Sequence, residues 1–428
     1  MLGTAWEIAR AVRSGELDPM DPIEQALAKI AERDDLNALI TVCPEPALAR
    51  ARNAEPGPLA GVPLLVKDVI DTAGIRTTAG SKICADRVPA ESAPAVRALE
   101  DAGAIVIGKT NCDEFAWGVT GQNTHYGDAR NPKFPGRITG GSSSGNAAAL
   151  AAGIAPLALG TDTGGSVRMP AGCCDVVGMK PRLGGVSTVG VFPLCPSFDT
   201  IGPMARTVKD CALCYEILAR GPLDALAGTQ AGERDINGLR VGVLTGMPPL
   251  APNEAAPEHD ERALEFAARL EALGMRAQEL ALPVPAGDIW SVFYGEAAAT
   301  HRDTFPARQD DYGPTIRAKL ESAQHTGPNA VSAGRQTLEA WRDRARSEPA
   351  VDIIVCPTLG VREIPPSDVD ELEIRVAFSA YTRVFSYLGW PAIAIGGVQL
   401  AAREETTLFA AALAWERAYG PPAESPAA

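Results

Sequence analysis

Residues 61–72, GVPLLVKDVIDT, contain an apolar run from Val62 to Val66 that does not alternate with polar residues, the pattern of a strand buried on both faces. Such a strand needs a covering layer on either side, and the surrounding sequence supplies helices. VRALEDAG precedes a second apolar run, AIVIG, within residues 95–109; VKDCALCYEILAR leads to LRVGVLTG, and ERALEFAARLEALG leads to AQELALP. This alternation predicts an α/β fold. DIIVCPT and PAIAIGGVQL read as two more core strands, and residues 284–348 as helical. Through residue 55 the chain reads as mostly helical: an amphipathic helix with Trp6, Ile8, Ala9 and Val12 on one side, a second over residues 21–38 and a third over 45–54.

With 428 residues, 46% of them hydrophobic and 21% charged, the chain can bury a large core. Its formal charge of −14 opposes nucleic acid as a partner, because phosphate backbones are held by concentrated Lys and Arg. No stretch is long and apolar enough to span a bilayer, and residues 1–19 lack the apolar core of a signal peptide. Nine cysteines without an export signal read as reduced thiols, which places the chain in the cytoplasm. No repeat and no Pro/Gly/Ser-rich linker divides it. A single domain over residues 1–428 is therefore expected, with a mostly helical segment at 1–55 and further core strands and a helix at 351–428.

The densest chemical signal is GGSSSGNAAALAAGIAPLALGTDTGGSVRMPAG, residues 140–172, in which two glycine–serine loops flank a helix of small residues. Without side chains, Gly164 and Gly165 let backbone N–H groups approach a ligand, and if Ser166 attacks a carbonyl those groups are placed for the developing oxyanion. The same residues also suit a tight turn with a capping serine. A serine nucleophile needs a base, and His125, His259, His301 and His325 are widely scattered. Lys67, at the end of the first apolar run, is an alternative: burial lowers an ammonium pKa, and a fall of about 3 units from roughly 10.4 would make it a base near neutrality. Its bland role is a strand-end lysine that snorkels to solvent or pairs with Asp68.

GGSSSG, GTDTGGSVRMPA and VKD, with 75 residues from Lys67 to Ser142 and 24 from Ser142 to Ser166, resemble the amidase signature family. Further matches run through GVPLLVKDVIDTAGIRTTAGS, GKTNCDEFAWG, RNP, GMKPRLGGVS and SFDTIGPMARTVKD, and return at DIIVCPT and LGWPAIAI; residues 220–350 match weakly. The resemblance implies the amidase signature fold, a large mixed central sheet flanked by helices on both faces, with a signature core at 60–215 and a variable substrate-side region at 220–350. The resemblance implies that Ser166 is the acylated nucleophile, Ser142 a proton relay preceded by a cis peptide, and Lys67 the base. It implies an oxyanion hole from the backbone of Thr163, Gly164, Gly165 and Ser166, with Ser143, Asp162 and Arg168 supporting the loops. Arg168 reads as an internal salt bridge in preference to a ligand for a substrate carboxylate. Implied too is hydrolysis of a small amide, anilide, carbamate or ester without cofactor or metal, by a monomer or homodimer. The alternative is the A-type catalytic subunit of a glutamine-dependent amidotransferase, which works with partner chains. One departure is Ser144, where the family commonly has glycine; a β-carbon there would narrow the floor of the site.

Other signals are weaker. GSSSG fits a nucleophile elbow centred on Ser143, but the preceding KFPGRITG is no core strand, and Asn146 stands where a P-loop needs lysine. Cys211 and Cys214 read as one face of a packed helix. The carboxylates of DVDELEIR read as a solvated face. Trp290, Phe293, Tyr294, Phe385, Tyr387 and Trp390 suit either an acyl pocket or plain core.

Overall fold

The computed structural model describes residues 2–219, 235–247 and 261–422. Eleven strands form one mixed sheet: β1 (Leu39–Val42), β2 (Pro63–Lys67), β3 (Ile105–Thr110), β4 (Leu157–Asp162), β5 (Val177–Lys180), β6 (Thr200–Ala205), β7 (Arg240–Val243), β8 (Arg276–Glu279), β9 (Ile353–Pro357), β10 (Ala392–Ile395) and β11 (Val398–Ala402). Their order is β1-β3-β2-β4-β6-β5-β10-β11-β9-β7-β8. Every residue of β2, β3, β4, β5, β6, β9, β10 and β11 is buried, so helices cover both faces of the sheet's centre. This is the α/β fold expected from the alternation of apolar runs and helices.

Several elements differ from the pattern reading, each for a physical reason. β4, β5 and β6 lie in the stretch rich in glycine and proline, where LALGTD, VGMK and TIGPMA carry no alternation because both of their faces are covered. PAIAIGGVQL is a hairpin of two strands, β10 and β11, since Gly396 turns with φ 57°. The helix expected over residues 21–38 ends at Glu32, and β1 follows it. Trp6 lies off the buried face of the helix Ala5–Ser14, which is Ala5, Ile8 and Ala9; its exposed ring packs under the Lys209 ammonium at 3.5 Å. In the variable region, residues 220–234 and 248–260, with His259, lie outside the described residues; the remainder supplies β7, β8 and the helices Trp290–Thr300, Pro314–Ala323 and Pro328–Ala345. Among the described residues no helix is long and apolar enough to cross a membrane.

Antiparallel β4 and β6 pair at the centre with Gly160 opposite Gly202. A β-carbon at Gly202 would collide with the backbone carbonyl of Met179 on β5, which cannot swing aside as a side chain could. Gly202→Ala is therefore expected to lower stability by about 1–3 kcal/mol, the range for overpacking a core. The urea unfolding midpoint measures this, and an unchanged midpoint would contradict it.

Candidate active site

β3, β2 and β4 lie side by side in parallel, so their C-terminal ends, at Thr110, Lys67 and Asp162, open on one edge of the sheet. That edge is where open α/β sheets gather ligand-binding loops. The apolar run that makes β2 a core strand carries Lys67 to a position with no exposure. Its Nζ lies 2.7 Å from Ser142 Oγ and 2.9 Å from Thr161 Oγ1. Burial pulls the ammonium down to about 8, while Cys112 and the carboxylates of Asp113, Asp162 and Asp199 resist the pull. Asp68 is not its partner: that carboxylate accepts the N–H and hydroxyl of Thr78 and lies 3.9 Å from Lys109 Nζ. The Gly141–Ser142 peptide is cis.

The Ser143 N–H donates to the Ser166 carbonyl at 3.0 Å, which joins the two glycine–serine loops. The buried Ser143 hydroxyl donates to the Thr161 carbonyl at 3.4 Å, whereas Ser166 lines an open pocket. Asp162 organises the loop between them. Its Oδ1 accepts from the Gly165 N–H at 2.8 Å and Arg168 Nη2 at 2.9 Å; its Oδ2 accepts from the Val167 N–H at 3.2 Å and Arg168 Nε at 2.9 Å. Burial pushes this carboxyl up, but the charge and hydrogen bonds of Arg168, with Lys180 and the Val167 N–H, outweigh it and hold it below the ordinary carboxylate range. Arg168 is fully enclosed, donating also to the Thr382 carbonyl, Gln399 Oε1 and Ser386 Oγ at 2.8–3.0 Å. Gly165 has φ 134°, and a β-carbon there would collide with Thr382 Oγ1, so conformation and space both demand glycine. Its N–H is engaged by Asp162, while Thr163 and Gly164 line the pocket beside Ser166.

Ser144 does not narrow the pocket. Its hydroxyl lies 3.5 Å from the Asn111 carbonyl, and its β-carbon faces Gly121, whose missing side chain leaves the room. The pocket over Ser166 holds about 560 Å³ including its open mouth, within the usual range for small-molecule sites. Trp117, Trp290, Phe293, Tyr294 and Tyr387 wall it, whereas Phe385 is core, 6.5 Å from Trp390. Among the described residues no histidine lines the pocket. Cys211 and Cys214 are buried on the helix Val208–Ala219, the Cys211 thiol lying 3.7 Å from the Pro203 carbonyl.

Sequence reading missed Trp117, Lys319, Arg375 and Arg383, all on the pocket wall. It also took DVDELEIR for a solvated face. Asp368, Asp370 and Glu373 are exposed, but Glu371 is buried on the helix Glu371–Phe378 and pairs with Lys319 Nζ at 2.8 Å. The available signal was the helical spacing of Glu371 and Arg375, which puts both on one face.

A family model described as Amidase matches residues 21–405. Among curated proteins, the A-type subunit of glutamyl-tRNA(Gln) amidotransferase from Symbiobacterium thermophilum is 43% identical over 300 residues, 65% of this chain and 60% of that one. The protein of the same name from Thermus thermophilus is 43% identical over 289 residues, 65% and 60% of the two chains. The chain thus spans about 60% of the length of these curated relatives. Among solved structures, 6-aminohexanoate cyclic dimer hydrolase with its substrate superposes with a TM-score of 0.88 at 27% identity, covering 99% of this chain and 98% of that one. Native peptide amidase from Stenotrophomonas maltophilia gives 0.80 at 28% identity with 98% of each chain covered. A chain of a vestigial complex bearing on the origins of an s-triazine catabolic enzyme gives 0.85 at 31% identity, covering 98% and 99%.

Removing one partner of an enclosed ion pair strands the other charge, so Arg168→Leu is expected to cost about 3–5 kcal/mol in chemical unfolding, and Asp162→Asn in addition to restore part of it. The sign in pH follows from the lowered Asp162 pKa: its stabilisation is complete above the ordinary value of about 3.9 and is lost as pH falls through the lower folded value. Wild type should accordingly lose stability on that acid limb, and an identical limb in Arg168→Leu would contradict the assignment.

Proposed function

Because the chain belongs to the amidase family, we propose that it cleaves the carbon–nitrogen bond of a carboxamide-like substrate by acyl transfer through Ser166. The observation that carries this reading is the 2.7 Å contact between Lys67 Nζ and Ser142 Oγ, beneath the loop that presents Ser166 to the pocket. Neutral Lys67 accepts the Ser142 proton as Ser142 accepts that of Ser166, and Ser166 Oγ attacks the carbonyl carbon. The N–H groups of Thr163, Gly164 and Ser166 receive the oxyanion; that of Gly165, engaged by Asp162, contributes less. The relay returns a proton to the leaving nitrogen as the carbon–nitrogen bond breaks. Water, deprotonated through the same pair, then hydrolyses the ester to Ser166. Ser143, Asp162 and Arg168 act by holding the two loops.

Two forms of this chemistry differ in the fate of the nitrogen. The names of the curated relatives favour the A-type subunit of a glutamine-dependent amidotransferase, in which partner chains use the released ammonia. A free-standing hydrolase of amides, anilides, carbamates or esters is the second reading, favoured by amidase structures that match this chain nearly end to end. Ammonia release from L-glutamine that needs added partner chains is expected for the first form. Turnover of simple anilides by the isolated chain, above the level of Ser166→Ala, would overturn it in favour of the second.

A fluorophosphonate should label Ser166, as read by peptide mass spectrometry; label on Ser143 would sink the scheme. Since Lys67 acts as a base only without its proton, kcat/KM should rise with pH through about 8 and be lost in Lys67→Ala. A rate that is flat from pH 6 to about pH 9 would contradict the role of Lys67.

A further inference from the structure

The pocket over Ser166 is locally positive in a chain whose formal charge is −14. Its lining includes Lys319, Arg375 and Arg383 against the single carboxylate Glu371. One oxygen of that carboxylate is engaged: Glu371 Oε1 accepts from Lys319 Nζ at 2.8 Å, while its buried Oε2 has no hydrogen-bond partner among the described residues, and Lys319 donates its next hydrogen bond to the Trp117 carbonyl at 2.7 Å. One helical turn along, Arg375 donates through Nη1 to the Tyr294 hydroxyl at 3.1 Å, and its buried Nε has no acceptor. Among the described residues no carboxylate lies within ion-pairing distance of it. Arg383 sits with its guanidinium 5.1 Å from the centre of the Trp290 ring, its β-carbon facing Gly164.

A guanidinium held in an apolar, half-closed pocket lacks the hydration it has in water, so it favours a counter-charge brought by a ligand. Its planar donors match a carboxylate better than any neutral group does. Trp117, Trp290, Phe293, Tyr294 and Tyr387 supply the apolar walls for whatever lies between that anion and the scissile carbonyl.

We propose that Arg375, assisted by Arg383, makes this an acid-selective site: the substrate is a carboxamide that bears a carboxylate remote from the scissile carbonyl, with that carboxylate on the guanidinium of Arg375. This rests on the carbon–nitrogen cleavage proposed above and deepens it. The class includes the ω-amides of dicarboxylic acids and is compatible with either fate of the nitrogen.

Binding, measured apart from chemistry, tests it. Calorimetry on Ser166→Ala compares succinamate, 4-carbamoylbutanoate and 4-carbamoylbenzoate with neutral counterparts in which a methyl group replaces the carboxylate. At least one acid should bind about tenfold or more tighter than its counterpart, the value of one charge-assisted hydrogen bond. Arg375→Met should bring that ratio to within about twofold, chiefly by weakening the acids, and Arg375→Lys, which keeps the charge, should retain part of it. Three outcomes would overturn the proposal: no acid binding tighter than its counterpart, no binding by any member, or a preference that survives Arg375→Met with near-ultraviolet circular dichroism unchanged. Failure of the cleavage reading shows separately, as absence of fluorophosphonate label on Ser166 in the wild-type chain.

Discussion

Asp162 and Arg168 form an ion pair with no exposure on either side, and the geometry around Ser166 depends on it. Taking such charges out of water costs several kcal/mol per ion, which is offset only where the remaining donors and acceptors are met. Here they are. Asp162 takes two backbone N–H groups from residues 165 and 167, which fixes the loop carrying Ser166. Arg168 donates to the Thr382 carbonyl, Ser386 and Gln399, which come from the helix Ala380–Leu388 and β11 at the other end of the sequence. Thr382 adds a hydrogen bond to the Gly164 carbonyl at 2.8 Å. The ion pair thus determines at once the shape of the loop that carries Ser166 and where the C-terminal wall of the pocket stands relative to it.

Burial alone does not single out a base in this protein. Lys109 and Lys180 are also enclosed and also pulled down by burial, to about 8 and about 7. Their acceptors distinguish them from Lys67. Lys180 donates to the Pro181 carbonyl, which has no proton to give. Lys109 donates to the Ile70 carbonyl and to Thr77, whose own proton goes to the Ile75 carbonyl. Lys67 faces two hydroxyls, and Ser142 stands one residue from the backbone that joins the Ser166 loop. A hydroxyl both accepts and donates, so of these three lysines only Lys67 meets what the proposed relay requires.

How much of this was legible in the sequence follows from where the interactions are local. The unbroken apolar runs gave β2 and β3, and the loop of residues 162–168 is short enough for Asp162 and Arg168 to meet within it. β4 and β6 were hidden because a glycine-containing strand covered on both faces shows neither alternation nor bulk. The pocket wall was illegible for another reason. Lys319 and Glu371 are 52 residues apart and Arg375 meets Tyr294 across 81, so nothing local marks them as neighbours. Glu371 even sits among exposed acids in DVDELEIR; its burial comes from the tertiary position of its helix.

These two groups of residues also act on different parts of a bound amide. Lys67 ends β2, the 163–166 loop follows β4 and Ser142 lies just before the helix Ser144–Ala151; in the proposed scheme they address the carbonyl, which every amide shares. Trp290, Tyr294, Lys319, Arg375 and Arg383 come from residues 290–383 and address the rest of the molecule. The pocket wall is anchored to the loop through Arg168 and Thr382, and neither Lys67 nor Ser142 has a hydrogen bond to Arg375 at its rim. Exchanging Arg168 releases loop and wall together. On the proposed reading, selectivity is set at the helix Glu371–Phe378, away from the reacting groups, whereas the enclosed ion pair bears on both the loop and the wall.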